Sequence, residues 1–345
     1  MSDIPTARHI AFITEGGPIV GLGHLSRCAA LCRAAAAGGT RVSVLVPEPS
    51  PARPLLRGID VAVLRSAWQT DRAEARALLA RVAPDVIVVD SYSASPDFLA
   101  SLRGIAPVAA VDDMADRLLP VDVIVNGGAG AETLPYDRRP DTTYLLGPRY
   151  ALLDPVYAAT PSRAVAKRTR RVLVCVGGGQ QVDTALTALG AVDRALDGCV
   201  VDVVAGASGT MTWELDGAAR EMRNLVVIHR DRFGLRDLML RADLAVSGAG
   251  VTLLELAATA TPMVAIALAD NQRPNFEALT KAGVALGAGA AGDPDLGLAI
   301  EASVRRLAGD AASREEMGAR GRALVDGQGA SRVVRLIGRP VVSRP

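Results

Sequence analysis

The stretch that decides the fold runs from Ala242 to Gln272, ADLAVSGAGVTLLELAATATPMVAIALADNQ. It opens with a strand (LAVS), turns at Gly248-Ala249-Gly250, and continues as a helix (VTLLELAATA). Pro262 then stops the helix, a second strand (MVAIAL) follows, and a polar loop, Ala269-Asp270-Asn271-Gln272, closes the stretch. Strand, helix and strand in succession make a βαβ unit, the building block of a parallel sheet. Backbone N–H groups at Gly250, Val251 and Thr252 would lie at a helix amino terminus, where a phosphate is received by dipole and free donors. The Thr252 hydroxyl adds one more donor. Glu255 follows one turn later inside the apolar LLELAA. A carboxylate there needs partners, and either two ribose hydroxyls or a nearby Arg would serve. Asn271 and Gln272 offer donors and acceptors suited to sugar hydroxyls or amides, or serve simply as turn residues.

The same rhythm extends outward in both directions. HIAFIT, RVSVLV, VAVLR, VIVVD, PVAAVDD and DVIVN read as strands in the first half, with LSRCAALCRAAAA and DRAEARALLARV as helices among them. RRVLVCV, CVVDVVAG and NLVVIH restart the pattern after residue 170. Runs this continuous in Val, Ile and Leu are expected of strands covered on both faces. Between the halves, ALLDPVYAATPSRAVAKRTRR has no apolar stripe and reads as a linker. The expectation is an α/β chain of two doubly wound, Rossmann-like domains, residues 1–157 and 168–345, facing across a cleft. Ligands of such sheets bind outside the carboxyl ends of the strands.

Composition narrows the function classes. The chain has 345 residues, with 38 Lys+Arg against 37 Asp+Glu and a net charge of +1. That balance provides no basic field for nucleic acid, and 3% aromatic residues cannot build a base-stacking platform. Four cysteines without a CxxC pair form no disulfide framework. The amino terminus lacks the pattern of a signal peptide, and no run approaches the ~20 apolar residues that span a bilayer. A soluble, cytoplasmic protein is the expectation. Histidine occurs only at positions 9, 24 and 229, so each one can be weighed.

After the first strand comes EGGPIVGLGHLSRC, carrying Glu15, Gly21, Gly23, His24 and Arg27 into an Ala-rich helix. The spacing is not GxGxxG, which argues against a nicotinamide cofactor. His24 falls at the start of that helix, where the dipole disfavours imidazolium and leaves a ring able to accept a proton. The plainer reading is a His that packs at a tight turn. His24, Cys28 and Cys32 are spaced i, i+4 and i+8, too long a stripe for one metal, and the two cysteines read as core residues. Asp90 and Tyr92 end another strand, where they orient a base, hold sugar hydroxyls, or cap the helix around SPDFLASL. Asp112 and Asp113 end a third, and Asp113 could cap the turn that follows it. Gly177-Gly178-Gly179-Gln180 follows RVLVCV, and Gly179 could approach a phosphate or sugar. His229 ends NLVVIH and reads as structural, and His9 is assigned nothing.

Taken in order, GLGHLSRC, VVDSY, AVDDMADR, LLGPRYALLDP and SGAGVTLLELAATATPMVAIALADNQ resemble the UDP-2,4-diacetamido-2,4,6-trideoxy-β-L-altropyranose hydrolases of pseudaminic acid biosynthesis. The resemblance spans about residues 10–280. The helix carrying Glu255 is also similar to the donor site of the bacterial N-acetylglucosaminyltransferase that makes lipid II. Both families have the GT-B fold. The resemblance implies that His24 is the base that activates water and that Asn271 and Gln272 hold the sugar. It places Gly250, Thr252 and Glu255 on the nucleotide; the glycine turn adds Gly248 and Val251 there, and the glycine loops and strand ends put Gly21, Gly23, Arg27, Asp90, Tyr92 and Gly179 around the substrate. The implied reaction cleaves the anomeric C–O bond of a UDP-linked sugar with inversion and uses neither metal nor cofactor. A glycosyltransferase using the same base on an acceptor hydroxyl is the alternative. The chain departs from the family in a longer loop between Glu15 and His24, in Gly-Ala-Gly-Val-Thr after Ser247, and in Gln180-Gln181 after the glycines.

Overall fold

The computed structural model describes residues 7–17, 20–176, 181–205, 212–230 and 234–338. Two compact units emerge: Met1–Val156 with Gly327–Pro345, and Tyr157–Asp326.

The first unit runs β1 (His9–Thr14), α1 (Gly23–Ala37), β2 (Arg41–Val46), α2 (Ala52–Leu55), β3 (Val61–Arg65), α3 (Arg72–Val82), β4 (Val86–Asp90), α4 (Pro96–Leu102), β5 (Val108–Val111), β6 (Val123–Asn126) and β7 (Thr143–Leu146). Its seven strands are ordered β3-β2-β1-β4-β5-β6-β7, every pair parallel. Alternate residues feed two cores, as the period of a strand requires. Ile10 and Phe12 pack on the face covered by α1, while Ala11 and Ile13 join Trp68, Phe98 and Leu99 on the other.

The second unit runs β8 (Arg171–Cys175), α5 (Val182–Ala195), β9 (Val200–Val204), α6 (Thr212–Glu221), β10 (Leu225–His229), α7 (Arg236–Arg241), β11 (Leu244–Gly248), α8 (Val251–Ala258), β12 (Met263–Ala267), α9 (Arg273–Lys281), β13 (Leu286–Ala290), α10 (Leu296–Gly309) and α11 (Ala311–Leu324). Its six strands are ordered β10-β9-β8-β11-β12-β13, again all parallel. Both sheets reverse their strand order once, between β1 and β4 and between β8 and β11. These reversals are where doubly wound sheets bind ligands.

Two features stand out among the departures from the sequence reading, which also left β7 unread as a strand. The final helix, α12 (Gly329–Ile337), belongs to the first unit rather than the second. Gly329 lies so close to the backbone of Tyr150 and Ala151 that any Cβ would overlap it, and Ala330, Val333 and Ile337 complete the core beside α1. The second feature is β13, LGAGA, whose glycines mute the strand signal. A Cβ at Gly287 would sit 2.7 Å from the Phe276 ring of α9, and Gly289 has φ +119°, so both positions need glycine.

Candidate active site

In the first unit the site assembles at the β1–β4 reversal. Register places Thr14 opposite Asp90, so Glu15 and Ser91 leave the sheet side by side. α1 then begins at Gly23 and puts His24 in its first turn, above the end of β4. Gly21 makes the preceding turn possible: with φ +79° it bridges back to Gly17 through paired backbone hydrogen bonds of 2.8 and 3.0 Å.

Asp90 is the centre of the cluster and is fully buried. Its Oδ1 lies 2.6 Å from His24 Nδ1 and accepts from Arg27 Nη2 at 2.7 Å, while its Oδ2 accepts from Arg27 Nε at 2.9 Å. Arg27 reaches on to Asp113 Oδ2 at 2.8 Å. Arg27 Nη2 also lies 2.8 Å from His24 Nδ1, and Nδ1 cannot both donate to Asp90 and accept from Arg27. At 2.6 Å a bare Nδ1 lone pair would face a carboxylate lone pair, so the proton belongs on Nδ1. In the tautomer with that proton on Nδ1 the lone pair is on Nε2, the arrangement of a general base oriented by a carboxylate.

The electrostatics agree with that assignment. Burial alone would raise the Asp90 pKa, but the Arg27 cation and the hydrogen bonds from His24 and Arg27 hold the carboxyl below its usual range. Burial likewise opposes the Arg27 charge, and Asp90 and Asp113 overcome it, raising its pKa well above the ordinary value. Tyr92 packs its ring edge-on to His24, with centroids 4.5 Å apart, and its hydroxyl donates to Asp113 at 2.7 Å. His24, Arg27, Asp90 and Tyr92 are thus one unit.

The capping alternatives sort out differently. Ser95, not Asp90, caps α4, accepting from Phe98 N–H. Asp112, not Asp113, holds the turn after β5, accepting from the N–H groups of Met114 and Ala115. Cys28 and Cys32 are buried among core residues, and burial drives both thiols upward, away from thiolate.

Sequence reasoning left Glu15 without a role, and the structure supplies one. This buried carboxylate accepts from Ser91 Oγ at 2.5 Å, Ser93 Oγ at 3.1 Å and Gln69 Nε2 at 2.5 Å, clamping the turn that carries Tyr92. A lone Glu at the end of an apolar strand was the available signal. Its serine partners come from another strand end and were invisible in sequence.

In the second unit, the glycine turn joins β11 to α8 as the sequence predicts, with Gly250 at the N-cap of a helix that starts at Val251. The turn packs against the one-turn helix Asp270–Gln272, which carries Asn271. Gln272 Oε1 accepts from Leu268 N–H at 3.1 Å, and its Nε2 would lie 3.5 Å from a Cβ at Gly250. The amino terminus of α8 thus lies beside that carboxamide, at ordinary contact distance. Thr252 is half-buried in the first turn. Glu255 lies close enough to the end of β8 to act on Cys175, whose thiol burial pushes up to about 12, with Ser247 opposing and Glu255 adding to the rise. Gly248, Gly250, Val251, Thr252, Glu255 and Gln272 thus share the β8–β11 reversal. Gly179 lies outside the described residues.

The other two histidines lie apart. His229 Nε2 bonds Asp202 Oδ1 at 2.7 Å, and Arg171 bonds the same carboxylate at 2.6 Å, an ion cluster on the sheet. His9 bonds Ser43 Oγ at 2.8 Å at the amino end of β1, away from the strand ends that carry the site. Among the described residues no group of three or more His, Cys, Asp or Glu could hold a metal, and no helix is long and apolar enough to cross a membrane.

Comparison with known proteins matches the fold and leaves sequence families unmatched. No protein-family profile and no curated protein sequence matches the chain. Among solved structures it is similar to MurG of Acinetobacter baumannii, with TM-score 0.67, 16% identity, and 96% of this chain and 99% of that chain covered. A Listeria monocytogenes protein assigned as a UDP-N-acetylglucosamine 2-epimerase gives TM-score 0.67 at 13% identity, covering 97% and 95%. UGT2 of Phytolacca americana, complexed with UDP-2-fluoro-glucose and pterostilbene, gives 0.62 at 14%, covering 95% and 98%. The chain has the GT-B fold: two Rossmann-like units, each with a parallel sheet.

Proposed function

We propose that the chain transfers a sugar from a nucleoside diphosphate sugar, UDP-linked in the first instance, to an acceptor hydroxyl, with His24 as general base. The observation that carries this reading is the 2.6 Å contact of His24 Nδ1 with buried Asp90, which leaves Nε2 as the proton acceptor. The acceptor O–H gives its proton to Nε2 as its oxygen bonds the anomeric carbon. The anomeric C–O bond to the diphosphate breaks, and its electron pair leaves with the diphosphate. Attack from the opposite face inverts the centre. The α8 amino terminus, with Gly250 at its N-cap, would receive the diphosphate charge, and Glu255 would accept the ribose hydroxyls. Asn271 and Gln272 are assigned to the sugar. The fold neighbours support transfer, since UGT2 is complexed with both a UDP-sugar analogue and a second organic ligand.

Water in place of the acceptor makes the same machinery a hydrolase, and the ordered run of motifs from Gly21 to Gln272 favours that second reading. One experiment separates the two. UDP-sugars are incubated with the protein and UDP release is measured with and without added hydroxyl acceptors. Release that needs an acceptor supports transfer, and full release in buffer alone supports hydrolysis. No release with any donor sinks both.

A further inference from the structure

Asp113 follows β5, the strand next to β4, and its side chain is half-buried. Its neighbour Asp112 is occupied elsewhere, accepting from the N–H groups of Met114 and Ala115 and from the Tyr136 hydroxyl. Asp113 instead meets Arg27. Its Oδ2 accepts from Arg27 Nη1 at 2.8 Å, and both its oxygens lie within 2.9 Å of the Tyr92 hydroxyl. One guanidinium is therefore shared by two carboxylates. Its Nε and Nη2 serve Asp90, and its Nη1 serves Asp113.

Counting charge shows what the second carboxylate adds. Between them, Arg27 and Asp90 carry no net charge, although Asp90 is the group that His24 touches. Asp113 brings the trio to one net negative charge. The imidazole that takes a proton becomes a cation, and negative charge nearby favours that form. The other groups at this strand end are the same with or without Asp113. The α1 amino terminus opposes imidazolium, while Glu15, held by Ser91, Ser93 and Gln69, favours it. Arg117 and Asp116 face each other at 3.5 Å, and burial keeps Cys28 a neutral thiol.

We propose that Asp113 is a positioning residue for the transfer reaction, acting through Arg27. It neutralises the guanidinium, so that the Asp90 charge remains available to the imidazolium formed when His24 Nε2 takes the acceptor proton. Tyr92, donating to Asp113, fixes that carboxylate in place. The inference rests on the transfer reading above and deepens it.

The test is Asp113→Asn, which keeps the side chain's shape and an acceptor oxygen for Arg27 but removes the charge. UDP release from the best UDP-sugar donor is followed against pH with acceptor present. In the free protein, NMR of ¹⁵N-labelled histidine follows proton uptake by His24. With one negative charge fewer, the ring should take its second proton at a lower pH. The NMR midpoint and the acid limb of turnover should both move down by about 0.3–1 pH unit, the effect of a single charge discounted for partial exposure. The plateau above that limb should fall severalfold, because a weaker base takes the acceptor proton less readily. UDP affinity should not change. Asp113→Glu, which restores the charge, should return the midpoint towards the wild-type value. A site that is merely loosened would lose turnover without moving the midpoint. An unmoved or rising midpoint in Asp113→Asn, or an unchanged plateau, overturns the proposal. Wild-type protein that releases no UDP from any donor removes the transfer reading instead, and the midpoint in the free protein still reports whether Asp113 acts on His24.

Discussion

Asp90→Asn removes one charge and no volume from the centre of the site, and its consequences can be worked out. Asp90 accepts three hydrogen bonds, from His24 Nδ1 at 2.6 Å and from Arg27 Nη2 and Nε at 2.7 and 2.9 Å, with no solvent exposure. Removing one partner of a buried ion pair costs about 3–5 kcal/mol. Arg27 retains Asp113, so the loss should fall near the lower end, about 3 kcal/mol. The catalytic effect is larger than a simple hydrogen-bond loss, because an amide no longer enforces the proton on Nδ1. Loss of an enforced tautomer reduces turnover by up to about 10⁴-fold. Urea melts give the first quantity, and ¹⁵N NMR of labelled histidine reports which ring nitrogen is protonated. Wild type should show His24 with Nδ1–H, and Asp90→Asn should lose that preference. A wild-type His24 carrying its proton on Nε2, or a variant with unchanged stability and tautomer, would refute the reasoning. The pH dependence carries the same sign. The folded Asp90 pKa lies below its ordinary value, so its stabilisation is complete above the unfolded carboxyl range near ~4 and is lost as pH falls through the folded value. Asp90→Asn should therefore flatten the acid limb of the stability curve.

Two further outcomes follow from other parts of the molecule. Gly329→Ala forces a Cβ into the backbone of Tyr150 and Ala151, so it should destabilise the first unit by about 2–3 kcal/mol in urea melts and loosen α12, as amide exchange would show. Glu255→Ala should weaken UDP binding by about 1–3 kcal/mol, roughly 5- to 150-fold by calorimetry, and unchanged affinity would remove the ribose assignment.

Much of this architecture was legible in the chain because parallel strands buried on both faces are continuous apolar runs. HIAFIT, RVSVLV, VAVLR and VIVVD became β1 to β4 at the expected residues. β13 was hidden because Gly287 and Gly289 answer to Phe276 and to backbone conformation rather than to strand propensity. The destination of α12 was hidden because its partner, the Tyr150–Ala151 backbone, is distant in sequence and offers no side-chain pattern. The site followed the same logic. His24 stood out through its glycine flanks, and Asp90 through its strand-end position. Their union, with Arg27 bridging to Asp113, depends on the register of β1 against β4. Glu15 went unassigned for a related reason: its partners Ser91, Ser93 and Gln69 are small or neutral and carry no signature of their own.

The central claim is that His24 Nε2 takes the acceptor proton, and His24→Ala tests it most directly. UDP release from the best UDP-sugar donor should be measured for wild type and variant alongside UDP affinity. The account predicts turnover reduced about 10²–10⁴-fold, the span of general base catalysis, with UDP affinity unchanged. Full turnover in His24→Ala would contradict it.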